Sequence, residues 1–171
     1  MKNSTFAKLA SIVLLAGTGL QAMAAVEVEF VHPEKFIDYG NRWGAGIDDG
    51  DQFLKELKDA LVQRGEAVLT QGQDMKISVT DVNRAGDVHP FGRNMEMIRV
   101  VKPLYRPSID LSYVITEGGK TVREGKATMT DINFMDRFNR YFRSDALYYE
   151  KPMIDDWFKQ EFGKDIKVAR Q

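Results

Sequence analysis

Two adjacent glycines inside an alternating stretch do most to limit what this chain can become. Residues Ser108 to Asp131 read as a β-hairpin, with Ile109, Leu111, Tyr113 and Ile115 on one face of its first arm and Asp110, Ser112 and Thr116 on the other. That period of two is the mark of a half-buried strand. Glu117-Gly118-Gly119-Lys120 supplies the turn, where glycine adopts positive φ without a steric cost. The second arm sets Gly125, Ala127 and Met129 against Glu124, Lys126, Thr128 and Thr130. Plain pairing across a Gly118-Gly119 turn would place Leu111 opposite Lys126 and Ile109 opposite Thr128, leaving the apolar faces out of phase. A one-residue shift, from a longer loop or a bulge between Val122 and Glu124, instead pairs Leu111 with Ala127, Ile109 with Met129 and Tyr113 with Gly125. The shifted register is the expectation, with the Tyr113 ring lying over the glycine backbone.

The N-terminal residues have the form of an export signal. Lys2 and Lys8 precede an apolar run from Leu9 to Leu20, and Ala22-Met23-Ala24 has the small-x-small form of a cleavage site. Cleavage after Ala24 is expected, giving residues 1–24 as a signal peptide and 25–171 as one α+β domain. The apolar run is short of the ~20 residues that a membrane span needs, and Gly17 and Gly19 interrupt it. A periplasmic location fits the absence of cysteine, because small extracellular modules commonly carry a disulfide framework. Without Lys2 and Lys8 the 24 basic residues fall to 22, against 25 acidic ones, a formal charge of about −3. With no basic surplus, nucleic acid is not an expected partner.

Along the chain, Val26, Val28 and Phe30 alternate with Glu27 and Glu29 as a first strand ended by Pro33. His32 to Gly50 reads as a long loop. Phe53, Leu54, Leu57, Ala60 and Leu61 recur at helical spacing, predicting a helix from about Gly50 to Arg64 with Gly65 as its C-terminal cap. Met75, Ile77 and Val79 mark a second strand. Ala85 to Met95 reads as a loop, Met97 to Val101 as a short strand, and Lys102 to Pro107 as irregular. Beyond the hairpin, Phe134, Phe138, Tyr141 and Phe142 suggest a short helix packed on the core. A last helix starts near Pro152, lines up Met153, Ile154, Trp157, Phe158, Glu161 and Phe162, and stops at Gly163. The order implies a two-layer α+β domain, a mostly antiparallel sheet of four or five strands with helices on one face.

Chemistry is sparse. The absence of cysteine excludes thiol nucleophiles and cysteine metal sites. His32 and His89 each precede a proline in a stretch read as loop, and neither a nucleophile elbow nor a phosphate-binding glycine loop is present. Those histidines could meet Asp38, Asp48, Asp49 and Asp51 at a metal, with Met95 and Met97 as soft donors, but spacing does not impose it. Acids at a helix start have a simpler use in complementing its dipole. No cofactor is expected. Glu124, Asp131 and Glu150 could supply the carboxyl pair of a glycosidase, about 5 to 9 Å apart. The structural reading pairs Asp131 or Glu150 with Arg123, Arg137 or Lys151 to lock the C-terminal helices onto the hairpin. Tyr39, Trp43, Tyr105 and Arg106 are the candidate recognition surface, combining flat apolar area with a guanidinium in segments read as loops. Trp43 could equally plug the end of the sheet.

Arg123-Glu124-Gly125-Lys126-Ala127 leading to Asp131-Ile132-Asn133-Phe134, and Tyr149-Glu150-Lys151-Pro152 leading to Trp157-Phe158, carry a resemblance. With Val26-Glu27-Val28-Glu29-Phe30-Val31 and Thr80-Asp81-Val82, they make the chain similar to the bacterial family known as domain of unknown function 3016. The matching positions are Arg123, Glu124, Gly125, Asp131, Phe134, Glu150, Lys151, Asp156, Trp157 and Phe158. The resemblance implies a secreted or periplasmic protein of proteobacteria and assigns no catalytic role. The expected function is therefore non-enzymatic binding of another envelope component, with an envelope protein as the expected partner and a hydrolase of peptidoglycan or glycan as the alternative.

Overall fold

The computed structural model describes residues 25–37 and 50–163. Its elements are β1 (Val26–Phe30), a short 3-10 turn (Pro33–Lys35), α1 (Gly50–Val68), β2 (Gln73–Asn83), β3 (Asp87–Phe91), β4 (Glu96–Val100), β5 (Ser108–Glu117), β6 (Lys120–Thr130) and α2 (Glu150–Phe162). The main sheet has the order β1-β2-β5-β6, while β3 and β4 form a separate two-stranded ribbon. β1 runs parallel to β2 and the other two neighbouring pairs are antiparallel. Both helices cover one face of the sheet, so the α+β two-layer architecture holds.

The core follows from alternation. Val28, Met75, Ile77, Val79, Ile109, Leu111, Tyr113, Ile115 and Met129 point to the helix side and bury against Leu57, Leu61, Ile154 and Phe158. On β2 a register irregularity between Val79 and Asp81 resets the phase, so that Val79 and Val82 both reach the core. The opposite face of the sheet is polar, with Lys76 bridging to Glu29 at 2.8 Å.

The hairpin adopts the shifted register. Glu117 faces Lys120 across Gly118-Gly119, and between Thr116↔Thr121 and Ile115↔Arg123 the extra residue Val122 is accommodated as a bulge. Leu111 then meets Ala127, Ile109 meets Met129 and Tyr113 meets Gly125. A Cβ on Gly125 would lie 2.8 Å from Cε1 and 2.9 Å from Cζ of Tyr113, so the ring occupies the space a side chain would need. Gly125→Val should therefore destabilise the domain by about 1 to 3 kcal/mol through overpacking. Urea denaturation measures it, and an unchanged midpoint would mean that the ring does not cover this strand.

Several expectations need correction. Gly65 does not cap α1; the helix continues to Val68, and a Cβ at Gly65 would sit 2.9 and 3.0 Å from the γ-carbons of Val26. The glycine is there to bring helix and strand close. Residues 85–95 are not simply a loop, because Asp87–Phe91 pairs with Glu96–Val100. Pro90 is tolerated in a ribbon, each strand of which has an unpaired edge. Gly86 anchors the foot of the ribbon at φ 89°, where a Cβ would meet the Val100 carbonyl oxygen at 2.8 Å. No helix forms over 134–142, where the chain is a series of turns. Phe134 is buried, edge-on to Tyr149 at 5.2 Å, but Phe138 and Phe142 project into water instead of joining the core. α2 matches expectation: Pro152 lies in its first turn, Met153, Ile154 and Phe158 are buried, and Gly163 ends it in the left-handed conformation.

Candidate functional site

The segment between β6 and α2, residues 131–149, is irregular yet tied down along its length. Asp131 Oδ1 accepts the Asn133 amide at 2.9 Å, and Asp131 Oδ2 pairs with Arg137 at 2.7 Å. Arg137 also reaches Asp156 on α2 at 2.8 Å. Asn139 accepts the Tyr141 amide at 3.0 Å and donates its side-chain amide to the Tyr148 carbonyl at 2.6 Å. Asp145 accepts the Leu147 amide at 2.9 Å and pairs with Lys151. These local side-chain bonds replace the backbone ladder that a helix would have supplied.

The anchor is a buried charge cluster. Arg64 lies on the apolar side of α1, one turn after Ala60 and Leu61, with no solvent exposure. Its Nε donates to Asp155 Oδ1 at 2.7 Å, one terminal nitrogen donates to the Ala60 carbonyl at 3.0 Å, and the other donates to the Tyr141 hydroxyl at 2.8 Å. That hydroxyl in turn donates to Asp155 Oδ2 at 2.6 Å, where Arg140 also binds at 2.5 Å. Burial first, and then the bond to Asp155, hold the Tyr141 hydroxyl above its ordinary pKa. α1, α2 and the 131–149 segment are thus joined by one set of charge-assisted bonds.

With Arg137 and Tyr141 turned toward α2 and Arg140 tied to Asp155, apolar side chains around them are displayed. Phe138 is 91% exposed, Ile132 69%, Phe142 67% and Met135 41%. Single apolar residues in water are ordinary, but four within one tethered segment are a concentration of the kind that marks contact surfaces.

The sequence-derived candidates are distributed differently. Tyr39 and Trp43 lie outside the described residues, as do Asp38, Asp48 and Asp49. Tyr105 is half-buried at the foot of the ribbon, its ring 5.6 Å from His89 and its carbonyl accepting the Gly86 amide at 2.9 Å. Arg106 is exposed and its carbonyl accepts from Asn83 at 3.2 Å. Tyr105 and Arg106 thus sit together before β5 rather than on the 131–149 segment.

Of the expected ion pairs, Asp131 with Arg137 is present, and the others are replaced. Arg123 pairs with Glu161 at 2.6 Å and stacks over the Phe162 ring at 4.8 Å, while Tyr113 donates its hydroxyl to Glu161 as well. This does fasten α2 to the hairpin, but through Glu161. The Tyr113 bond is the main influence holding the Glu161 carboxyl below its usual range; burial opposes it, and Arg123 adds to the lowering. Asp131 takes Arg137 and Lys151 takes Asp145. Glu150 is held by a backbone amide, that of Ala85 at 2.9 Å, rather than by Arg123, Arg137 or Lys151. Glu124 lies on the open face of the sheet and Glu150 is buried on the helix side, so these two acids do not flank a common groove.

His32 neighbours Glu34 at 3.2 Å and His89 neighbours Asp87 at 3.8 Å; among the described residues no three His, Cys, Asp or Glu side chains gather as a metal site. No helix among them is long and apolar enough to cross a membrane.

A family described as a protein of unknown function (DUF3016) matches residues 24–160. The chain belongs to this family. No curated protein and no solved structure matches it. In this DUF3016 chain the positions that carry the resemblance have structural work: Gly125 lies under Tyr113, Phe134 is buried, Asp156 holds Arg137, and Phe158 is fully buried in the core.

Sequence reasoning missed the Arg64, Tyr141 and Asp155 cluster. A signal was present, because Arg64 falls on the apolar stripe set by Leu57 and Leu61, and a cation there requires an acid from another element.

Proposed function

We propose that this chain is a non-enzymatic binding or adaptor protein of the bacterial cell envelope, docking through Ile132, Met135, Phe138 and Phe142 into an apolar cleft on another envelope protein. The observation that carries this reading is the exposure of those four side chains on a backbone fixed by Arg64, Asp155 and Tyr141. A tethered display loses little conformational freedom on binding, so more of the apolar contact appears as affinity. Export is supported by the first strand as well. Ala25 N lies 3.1 Å from Asp74 Oδ1, and a chain cut after Ala24 would present an ammonium to that carboxylate.

The experiment is crosslinking capture from intact periplasm, comparing wild type with Phe138→Ser/Phe142→Ser. The double variant should keep its unfolding free energy within about 0.5 kcal/mol, since surface changes of this kind are nearly neutral. It should lose the specifically captured partner, with affinity falling at least about tenfold, as expected from removing two apolar anchors. Unchanged capture, or no specific capture alongside turnover of an envelope polysaccharide, would reject the adaptor reading.

A further inference from the structure

A separate surface, the outer edge of β6, points to a second copy of this chain. β6 ends the order β1-β2-β5-β6, and among the described residues no backbone group bonds to its outer side. An unpaired edge of this length is a template for another strand. Its charges decide which strand. Lys120, Glu124 and Lys126 are exposed, and neither Glu124 nor Lys126 forms an ion pair with another described residue. A foreign strand lacking a matching pattern would bring uncompensated charge against them.

We propose that two copies pair antiparallel through β6, about a two-fold axis at Gly125 perpendicular to the sheet. Such an interface is isologous, so that a residue opposite a second residue is repeated with the roles exchanged. Centring on Gly125 pairs the regular stretch from Arg123 to Ala127 with its copy, and the Val122 bulge falls at each end of that stretch. The same register places Glu124 opposite Lys126 twice, once on each side of the axis. Other registers that keep both helix layers on one side are poorer. An axis at Glu124 or Lys126 sets that charge against its own copy; one at Arg123 opposes two arginines; one at Val122 would bring Lys120 to Glu124 but centres on the bulge and overlaps only residues 120–124; one at Ala127 shortens the overlap and matches no charges. The register centred on the regular stretch of the strand is thus charge-matched as well. The result is a continuous eight-stranded sheet with the four helices on one face, and the polar face remains in water.

Sedimentation of the mature chain, residues 25–171, tests this at increasing concentration. Wild type should form dimers. Glu124→Lys and Lys126→Glu each put like charges opposite one another twice, and each should weaken dimerisation at least about tenfold. An equimolar mixture of the two single variants restores opposite charges at both positions and should form one-to-one heterodimers, as should the charge-swapped double variant with itself. Each single variant should still unfold cooperatively, melting where dilute monomeric wild type melts because both side chains are exposed, while wild type and the mixture should melt higher as concentration rises. A wild type that stays monomeric at its highest soluble concentration overturns the proposal. So do single variants that dimerise like wild type, or a mixture that remains monomeric.

Discussion

Asp155→Ala should lower the unfolding free energy by about 3 to 5 kcal/mol, the usual cost of leaving a buried charge without its partner. Arg64 is the reason: its Nε contacts Asp155 at 2.7 Å and its side chain is almost completely out of water, so the cation would remain in place with nothing to balance it. The same substitution removes the acceptor of Tyr141 and the partner of Arg140. The 131–149 segment should then lose amide-exchange protection together with its hold on α2. Replacing both members of the pair by apolar residues, Arg64→Met with Asp155→Leu, should be much milder than the single change, because no charge is stranded. Urea denaturation of the three proteins decides it. A loss below about 1 kcal/mol for Asp155→Ala, the scale of an exposed pair, would show that the cluster is solvated.

Glu150→Ala should cost about 2 to 4 kcal/mol, from an orphaned Ala85 amide together with the void left by a buried side chain. Burial is the main influence on this carboxyl and raises its pKa, opposed by the Ala85 and Glu150 amides and then by the charges of Arg84 and Arg99. The sign of the pH effect follows from proton binding. Between the ordinary glutamate pKa and the raised native one, the folded protein holds the proton more tightly than the unfolded chain does. Glu150 therefore makes stability fall as pH rises through that window. Glu150→Gln keeps an oxygen for the Ala85 amide and should remove this component of the slope, which stability measured against pH in both proteins will reveal. A change below about 0.5 kcal/mol for Glu150→Ala, the range of unimportant surface sites, would refute the buried role.

The hairpin was readable because its arms carry two independent records of register, the turn and the apolar alternation, and the conflict between them demanded an extra residue. The bulge at Val122 resolves that conflict. β3 was harder to see, since Gly86, Pro90 and Gly92 are loop residues in most settings. In a ribbon with edges on both sides, the N–H that proline lacks is tolerated, and the glycines serve the foot and the tip. The aromatic spacing from Phe134 to Phe142 imitates a helix stripe, but side-chain bonds to Asp155 and Asp156 outweigh the local preference. Helical spacing alone could not reveal this, because the acids lie on an element later in the chain. The Gly65 reading failed for a related reason: a cap depends on neighbours in sequence, whereas its close contact is with Val26 on β1.

The parallel pairing of β1 with β2 fixes an order of assembly. β5 and β6 close through a tight turn and can zip early, but β1 can align only after the chain has returned through α1. Being five residues long and flanked by one neighbour, β1 is the natural place for unfolding to begin. Tension applied at the N-terminus would draw this strand away first, uncovering Val26 and the flank of Gly65 while the hairpin remained intact.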